Sequence, residues 1–564
     1  MTHVIKAHVC VTERLQTIID CYFPDISETG TESDVIIKDR EECWDRMCTR
    51  LCQQSLSWEN ALLLLPTTCL LRDNKTGSDK NKTGSDKNKN DKNKSGTDKD
   101  LRWTLSERIT IEIIKAFKRC TDSTFESILP CIINHLVYEK SFNETLFNYL
   151  VSRCNQSIRV TTSVYWALMV AGEKNKKVCD FLLSKLLRAI PKDLYGEIMK
   201  INEFVRTIED NYNPSSEIPI SNLGSIGECV SPTHPERGSQ KVSDKIMQGE
   251  ISANRPVPIL LSPETNKENT ILYKNEDLRT DLIIMSVLRL MKDIVEEQLG
   301  LDLYVITYNI QPTSSKSGYI GVVDKCNTIY KIEEKFNLTL NNYIKKYNPD
   351  TPSKELSQRF IRSSAFYSVM TFLLGIGDRH LDNIMVTERG ELFHIDYGFV
   401  LGKDPKPMKT PYMRISEGML DAIGGAQSEE YIQFKDLYYK IYEVSRRHVN
   451  TFVCLLSLLP KQNSGDSWTN PAISQDRVLR EVVKRFSPGE TYEKAKNILD
   501  TKIDKSTNMT NQSRYFVVDF FHKHRKEGTI SNMISYTVGT TISGTSNLLS
   551  GIWDYMSGAS RIRS

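Results

Sequence analysis

The fold is decided by Gly375-Ile-Gly-Asp-Arg-His-Leu-Asp-Asn383, followed at close range by Leu392-Phe-His-Ile-Asp-Tyr-Gly-Phe399. Asp378 and Asn383 form D-x-x-x-x-N, and Asp396 heads a D-aromatic-G thirteen residues beyond Asn383. Phosphoryl transfer calls for a carboxylate or imidazole beside the attacking hydroxyl, an amide oxygen on Mg²⁺, and a second carboxylate on the metal that bridges the phosphates. Each element alone is weak, since a buried polar loop can carry the same residues. In this order and at this spacing they predict a phosphotransferase.

Gly377-Asp-Arg-His-x-x-Asn383 with His394-Ile-Asp-Tyr-Gly398 closely resembles the phosphatidylinositol 3-/4-kinase family, whose catalytic loop reads DRH where protein kinases read HRD. The resemblance implies an α+β fold: a bilobal, protein-kinase-like catalytic domain preceded by an all-α, solenoid-like helical domain. It implies ATP with Mg²⁺ or Mn²⁺, a catalytic set of Asp378, Arg379, His380, Asn383 and Asp396, and metal ligation by Asn383 and Asp396. His380 is the favoured base, although the residues alone do not divide that work between it and Asp378.

Upstream, Tyr273-Lys-Asn-Glu-Asp-Leu-Arg-Thr-Asp281 resembles the family's K-x-G-D-D-L-R-Q-D block, shortened by one residue. There Lys274 inherits a phosphate contact and Asp281 a place deeper in the nucleotide pocket. A lysine at a strand end can set a point charge on phosphate oxygens. Tyr308 and Gly318-Tyr-Ile-Gly-Val-Val323 look like the strand and hinge that hold adenine, with backbone groups of Gly321 and Val323 pairing with its edge.

Beyond Asp396, Gly402-Lys-Asp-Pro-Lys-Pro407 and Met408-Lys409 resemble the short activation segment of class III 3-kinases. Lys403, Lys406 and Lys409 are the candidate headgroup contacts. Few cations suit a headgroup bearing only its diester phosphate, whereas extra phosphates would require a denser cluster. The expected activity is therefore ATP-dependent phosphorylation of phosphatidylinositol at the 3-hydroxyl. Tyr149-Leu-Val-Ser-Arg-Cys-Asn-Gln-Ser-Ile158 resembles type III 4-kinases instead, which makes 4-phosphorylation the alternative. A related protein kinase and a non-catalytic membrane scaffold are weaker readings; the short chain argues against the first and intact Asp378, Asn383 and Asp396 against the second.

Composition bounds the rest. The chain has 564 residues, 39% of them hydrophobic and 26% charged, which predicts several globular cores. Lys plus Arg total 74 against 71 Asp plus Glu, so no nucleic-acid partner is expected. No run of 18 apolar residues occurs and no transmembrane helix is expected. Thirteen cysteines, an odd number with no leader pattern ahead of them, read as reduced and intracellular. Cys43, Cys48 and Cys52 lack zinc spacing.

The expected organisation is a helical segment at 1–71, a disordered Lys/Asn/Asp/Gly insert at 72–100, a helical domain at 101–210, a Pro/Ser/Gly linker at 211–255, the catalytic domain at 256–528 and a Ser/Thr/Gly-rich tail at 529–564. The insert holds NKTGSDK twice, at 74–80 and 81–87, with no apolar residue to bury. The linker assignment rests on five prolines in 211–256, and strands are expected at 259–261 and 304–306. In the tail, Ile530, Ile534, Val538 and Ile542 repeat at i+4, the stripe of an interfacial helix. The partners expected are phosphatidylinositol in membranes and the membrane surface through this tail; a regulatory protein subunit is left open. The expected location is cytoplasmic, peripheral on intracellular membranes.

Overall fold

The computed structural model describes residues 57–65, 107, 110–138, 142–213, 220, 226, 228–243, 256–263, 269–404, 413–460 and 475–507. The insert at 72–100, the tail at 529–564, Lys406 and Lys409 lie outside the described residues. The fold mixes helix and sheet and divides into two compact units: the first gathers residues up to Leu278 with Asn309–Gly321 and Asn450–Leu458, the second the remainder.

Among the described residues of the first unit, α1 (Trp58–Leu64) and a helical stretch at 110–117 precede α2 (Asp122–Tyr138), α3 (Glu144–Cys154), α4 (Ile158–Gly172), α5 (Lys176–Ala189) and α6 (Lys192–Asp210). The turn residues start and stop them. Thr121 accepts the amide of Thr124 at 3.1 Å, Asn143 that of Leu146 at 3.1 Å, and Ser157 that of Val160 at 3.5 Å, each satisfying an orphaned donor of a first turn. Ile190-Pro191 separates α5 from α6 because proline cannot continue the hydrogen-bond ladder.

Six antiparallel strands follow: β1 (Glu228–Val230), β2 (Ser239–Val242), β3 (Val257–Pro263), β4 (Asn269–Lys274), β5 (Ile310–Pro312) and β6 (Gly318–Gly321), in the order β1-β2-β3-β4-β6-β5. Val257, Ile259 and Leu261 point inward at a period of two, onto a core with Trp166 of α4 and Ile198, Ile201, Phe204, Val205 and Ile208 of α6.

The linker expectation is corrected here. Residues 228–242 form a hairpin whose inward residues include Val230 and Val242. Its prolines do not interrupt the ladder: Pro235 opens the 3₁₀ turn between the strands, and Gly238, at φ 69°, completes it. The core is thus continuous from α6 through this segment into β3 and β4, across the boundary expected at 256.

The second unit holds α7 (Arg279–Leu299), a three-stranded antiparallel sheet of β7 (Cys326–Thr328), β8 (Ile384–Thr387) and β9 (Leu392–His394), and helices α8 (Leu340–Tyr347), α9 (Ser353–Leu374), α10 (Glu417–Ile423), α11 (Glu429–Arg447), α13 (Gln475–Arg485) and α14 (Tyr492–Thr507); α12 (Val449–Leu456) lies between α11 and α13 in sequence. The strand expected at 304–306 is absent: Tyr304 sits at φ 53°, outside β space, and the carbonyl of Ile306 accepts from the Tyr367 hydroxyl at 2.5 Å rather than from a neighbouring strand. Helix α9 is buried along most of its length, and two of its hydroxyls fold back onto their own helix: Ser363 onto the Arg359 carbonyl at 2.8 Å and Thr371 onto the Tyr367 carbonyl at 2.7 Å. Among the described residues no helix is long and apolar enough to cross a membrane.

Candidate active site

Helix α9 stops at Gly375, whose φ of 58° is the left-handed cap glycine adopts without a Cβ penalty. The chain then enters the loop 375–383 and returns through β8 and β9 to a second loop at 395–404. Backbone bonds join the two loops: Ile395 N–H to the Asn383 carbonyl at 3.1 Å, Gly377 N–H to Phe399 at 2.9 Å, and Gly402 N–H to Gly375 at 2.8 Å. A Cβ on Gly377 would lie 2.2 Å from the Lys403 carbonyl oxygen, so only glycine permits this approach. Gly377→Ala is expected to push the segment after Asp396 away, costing about 1–3 kcal/mol of stability by overpacking. Chemical denaturation would show the loss, and a wild-type unfolding curve would contradict the contact.

Arg379 is the internal staple. Its guanidinium is buried and donates to four carbonyls: Gly377 at 2.8 Å, Asn383 at 3.4 Å, Ile395 at 2.8 Å, and Asp396. A planar fork with several fixed donors suits that task, which an ammonium would not.

Asp378 and Asp396 both occupy the left-handed region, at φ 54° and 62°. Aspartate tolerates that conformation better than most residues, yet it costs about 1–2 kcal/mol each. The structure places Asp378, His380 and Asn383 on one turn: the Asn383 amide NH₂ donates to the Asp378 carbonyl at 3.0 Å, and His380 Nε2 lies 3.9 Å from Asp378 Oδ2. The Asp396 carboxylate is exposed, with Oδ1 accepting from Gly398 N–H at 3.2 Å.

The donor set fits a hard divalent cation. With the NH₂ of Asn383 engaged, its amide oxygen is the atom left for a metal, and the Asp396 carboxylate supplies a second oxygen; neither is a soft ligand. Among the described residues no cluster of three His, Cys, Asp or Glu side chains forms a metal cage.

Asp281 is buried on α7, and its Oδ1 accepts the Tyr397 amide at 3.0 Å, which fixes the backbone next to Asp396. This contact spans 116 residues of sequence and no local pattern announces it. His394 is buried against the Tyr367 ring, with centroids 4.9 Å apart, and burial together with the nearby Arg379 charge pushes its pKa well below 6.5, so it is a neutral packing group. Sequence reasoning also missed Thr328, whose hydroxyl donates to Asp382 at 3.1 Å and ties the loop to β7, and Asp404, whose Oδ2 accepts the Asp378 amide at 3.4 Å. Only their place near the motifs could have flagged them.

The remaining expected residues fall as follows. Tyr308 turns its ring into the interior, 6.4 Å from the Phe393 centroid, while its carbonyl accepts from Arg289 at 2.6 Å. Gly321 ends β6, and a Cβ there would meet His234 at 2.5 Å. The Val323 carbonyl accepts from the Cys326 thiol at 2.9 Å. Lys274 ends β4 with Nζ 2.9 Å from Glu276. Lys403 is half-buried, and desolvation lowers its pKa.

Residues 268–466 match the family model described as Phosphatidylinositol 3- and 4-kinase. Over 404 residues the chain is 28% identical to "Phosphatidylinositol 3-kinase VPS34" of Arabidopsis thaliana, covering 65% of this chain and 49% of that protein. It is 30% identical over 295 residues to "Phosphatidylinositol 3-kinase catalytic subunit type 3" of Caenorhabditis elegans, covering 51% and 31%. With VPS34 of Saccharomyces cerevisiae the identity is 26% over 420 residues, covering 70% and 46%. The chain spans about half, or less, of the length of these relatives. The DRH loop, the candidate metal ligands Asn383 and Asp396 and these matches point the same way: residues 268–466 are similar to the phosphatidylinositol 3- and 4-kinase family, and the chain is similar to proteins named phosphatidylinositol 3-kinase.

Proposed function

We propose that this protein is an ATP-dependent phosphatidylinositol kinase acting on the 3-hydroxyl, with an α+β kinase-like catalytic domain and a solenoid-like helical domain ahead of it. The observation that supports the reading is the joining of two loops by backbone bonds and by buried Arg379, one loop carrying Asp378, His380 and Asn383 and the other Asp396.

In this reading Asn383 and Asp396 hold the metal. Mg²⁺ bound to them would neutralise charge on the phosphates. His380 takes the proton of the attacking inositol hydroxyl, and Asp378 orients that hydroxyl and the imidazole. The left-handed backbone at both aspartates spends conformational energy in advance to fix where the carboxylates point. Asp281 serves as a positioning residue through the Tyr397 amide.

Lys274 contacts ATP phosphate, exchanging Glu276 for a phosphate oxygen, while Gly321 and Val323 offer backbone to adenine. Lys403, Lys406 and Lys409 receive the headgroup, and the tail at 529–564 holds the protein peripherally on intracellular membranes.

The test is transfer of the γ-phosphate of labelled ATP to phosphatidylinositol vesicles with Mg²⁺. Label in the lipid is expected, and none in the lipid under conditions where the protein is folded would overturn the reading. Lys274→Met should slow the transfer by about 10–100-fold and raise the ATP requirement, as loss of one charge-assisted contact does. Unchanged kinetics in that variant would remove Lys274 from the nucleotide site.

A further inference from the structure

Two thiols far apart in sequence meet in the first unit. Cys131 on α2 and Cys454 on α12 are 323 residues apart, yet their sulfurs lie 4.0 Å from each other. Cys131 is buried at 6% exposure, whereas Cys454 is half-buried and within reach of solvent. Both belong to helices, so the backbone at each is fixed, and side-chain rotation is the freedom available to bring the sulfurs to the roughly 2.05 Å of a bond.

Burial pushes the thiols of Cys120, Cys154 and Cys229 each up to about 12, which keeps them protonated and poorly nucleophilic. Cys326 is likewise pushed up to about 12, and its thiol donates to the Val323 carbonyl.

We propose that Cys131 and Cys454 form a dithiol modification site that closes to a disulfide under hydrogen peroxide. The Cys454 thiolate attacks one peroxide oxygen; the O–O bond breaks, a sulfenic acid forms, and the departing hydroxide takes up a proton as water. The Cys131 sulfur then attacks Cys454; the S–S bond forms, the S–O bond breaks, and the oxygen leaves as a second water. The two sulfurs together lose two electrons to the peroxide, and the two thiol protons end in the two waters. The closed bond ties α2 to α12 and encloses every described residue of the candidate active site in one covalent loop. Such a loop restricts the unfolded chain and raises stability. The proposal does not rest on the lipid-kinase reading.

The test treats the folded full chain with hydrogen peroxide, blocks remaining thiols with an alkylating agent, and maps peptides by mass spectrometry without reduction. The expected result is one cross-linked species joining the Cys131 and Cys454 peptides, two hydrogen masses lighter than their sum and reversed by dithiothreitol. A melting temperature several degrees above that of the reduced protein should accompany it. Cys454→Ser, at the half-buried position, should melt like the reduced wild type and gain nothing on oxidation. Absence of the linked peptide from oxidised, folded wild type would overturn the proposal, as would an oxidative rise in melting temperature that persists in Cys454→Ser.

Discussion

Asp396→Ala is expected to lower phosphate transfer to lipid by at least about 10³-fold while the protein stays folded, because it deletes the carboxylate proposed to hold the metal from an exposed position where it contributes little packing. The structural cost is bounded. Alanine at φ 62° and loss of the carboxylate bond to Gly398 N–H together cost about 1–3 kcal/mol. Asp396→Asn separates the two effects, since asparagine also tolerates left-handed backbone and keeps an oxygen for Gly398, yet carries no charge. It should melt near wild type and remain impaired by a similar factor. Retained turnover in either variant would remove Asp396 from the chemistry.

Arg379→Lys should be nearly as damaging by a different route. The guanidinium holds four carbonyls from both loops, and a lysine ammonium cannot reach them with the same fork. Two or more buried carbonyls lose their donor at about 1–3 kcal/mol each, so a loss of about 3–5 kcal/mol of stability is expected, with transfer reduced by about 100-fold at temperatures where the variant is folded. Denaturant unfolding and steady-state kinetics read the two effects separately. A variant of wild-type stability with normal turnover would mean that the two loops hold each other without Arg379.

The candidate site was legible in the sequence because its residues are marked by side-chain identity at fixed local spacing. Asp378, His380 and Asn383 lie within six residues of one another, and Asp396 follows after a single short hairpin. What positions them was less legible. Asp281 reaches Tyr397 across 116 residues, and Arg379 acts on carbonyls, which every residue carries. The strands β1 and β2 were hidden because three- and four-residue strands offer too few positions to show a period of two, and prolines beside them read as linker. At 259–261 three consecutive apolar residues gave the right element but concealed its alternation, since Leu260, on the outward face, is as apolar as its neighbours. Tyr304-Val-Ile306 had strand composition, yet the positive φ at Tyr304 keeps it out of any ladder. For Tyr308, the resemblance named a position near a hinge, and packing against Phe393 turned the ring inward.

Which hydroxyl receives the phosphate separates a 3-kinase from a 4-kinase. The most direct measurement incubates the full chain with ATP, Mg²⁺ and phosphatidylinositol vesicles and separates the monophosphate isomers of the product. Phosphatidylinositol 3-phosphate is the predicted product, absent when Asp396→Ala replaces the wild type; a dominant 4-phosphate, or no phosphorylated lipid from folded protein, would contradict it.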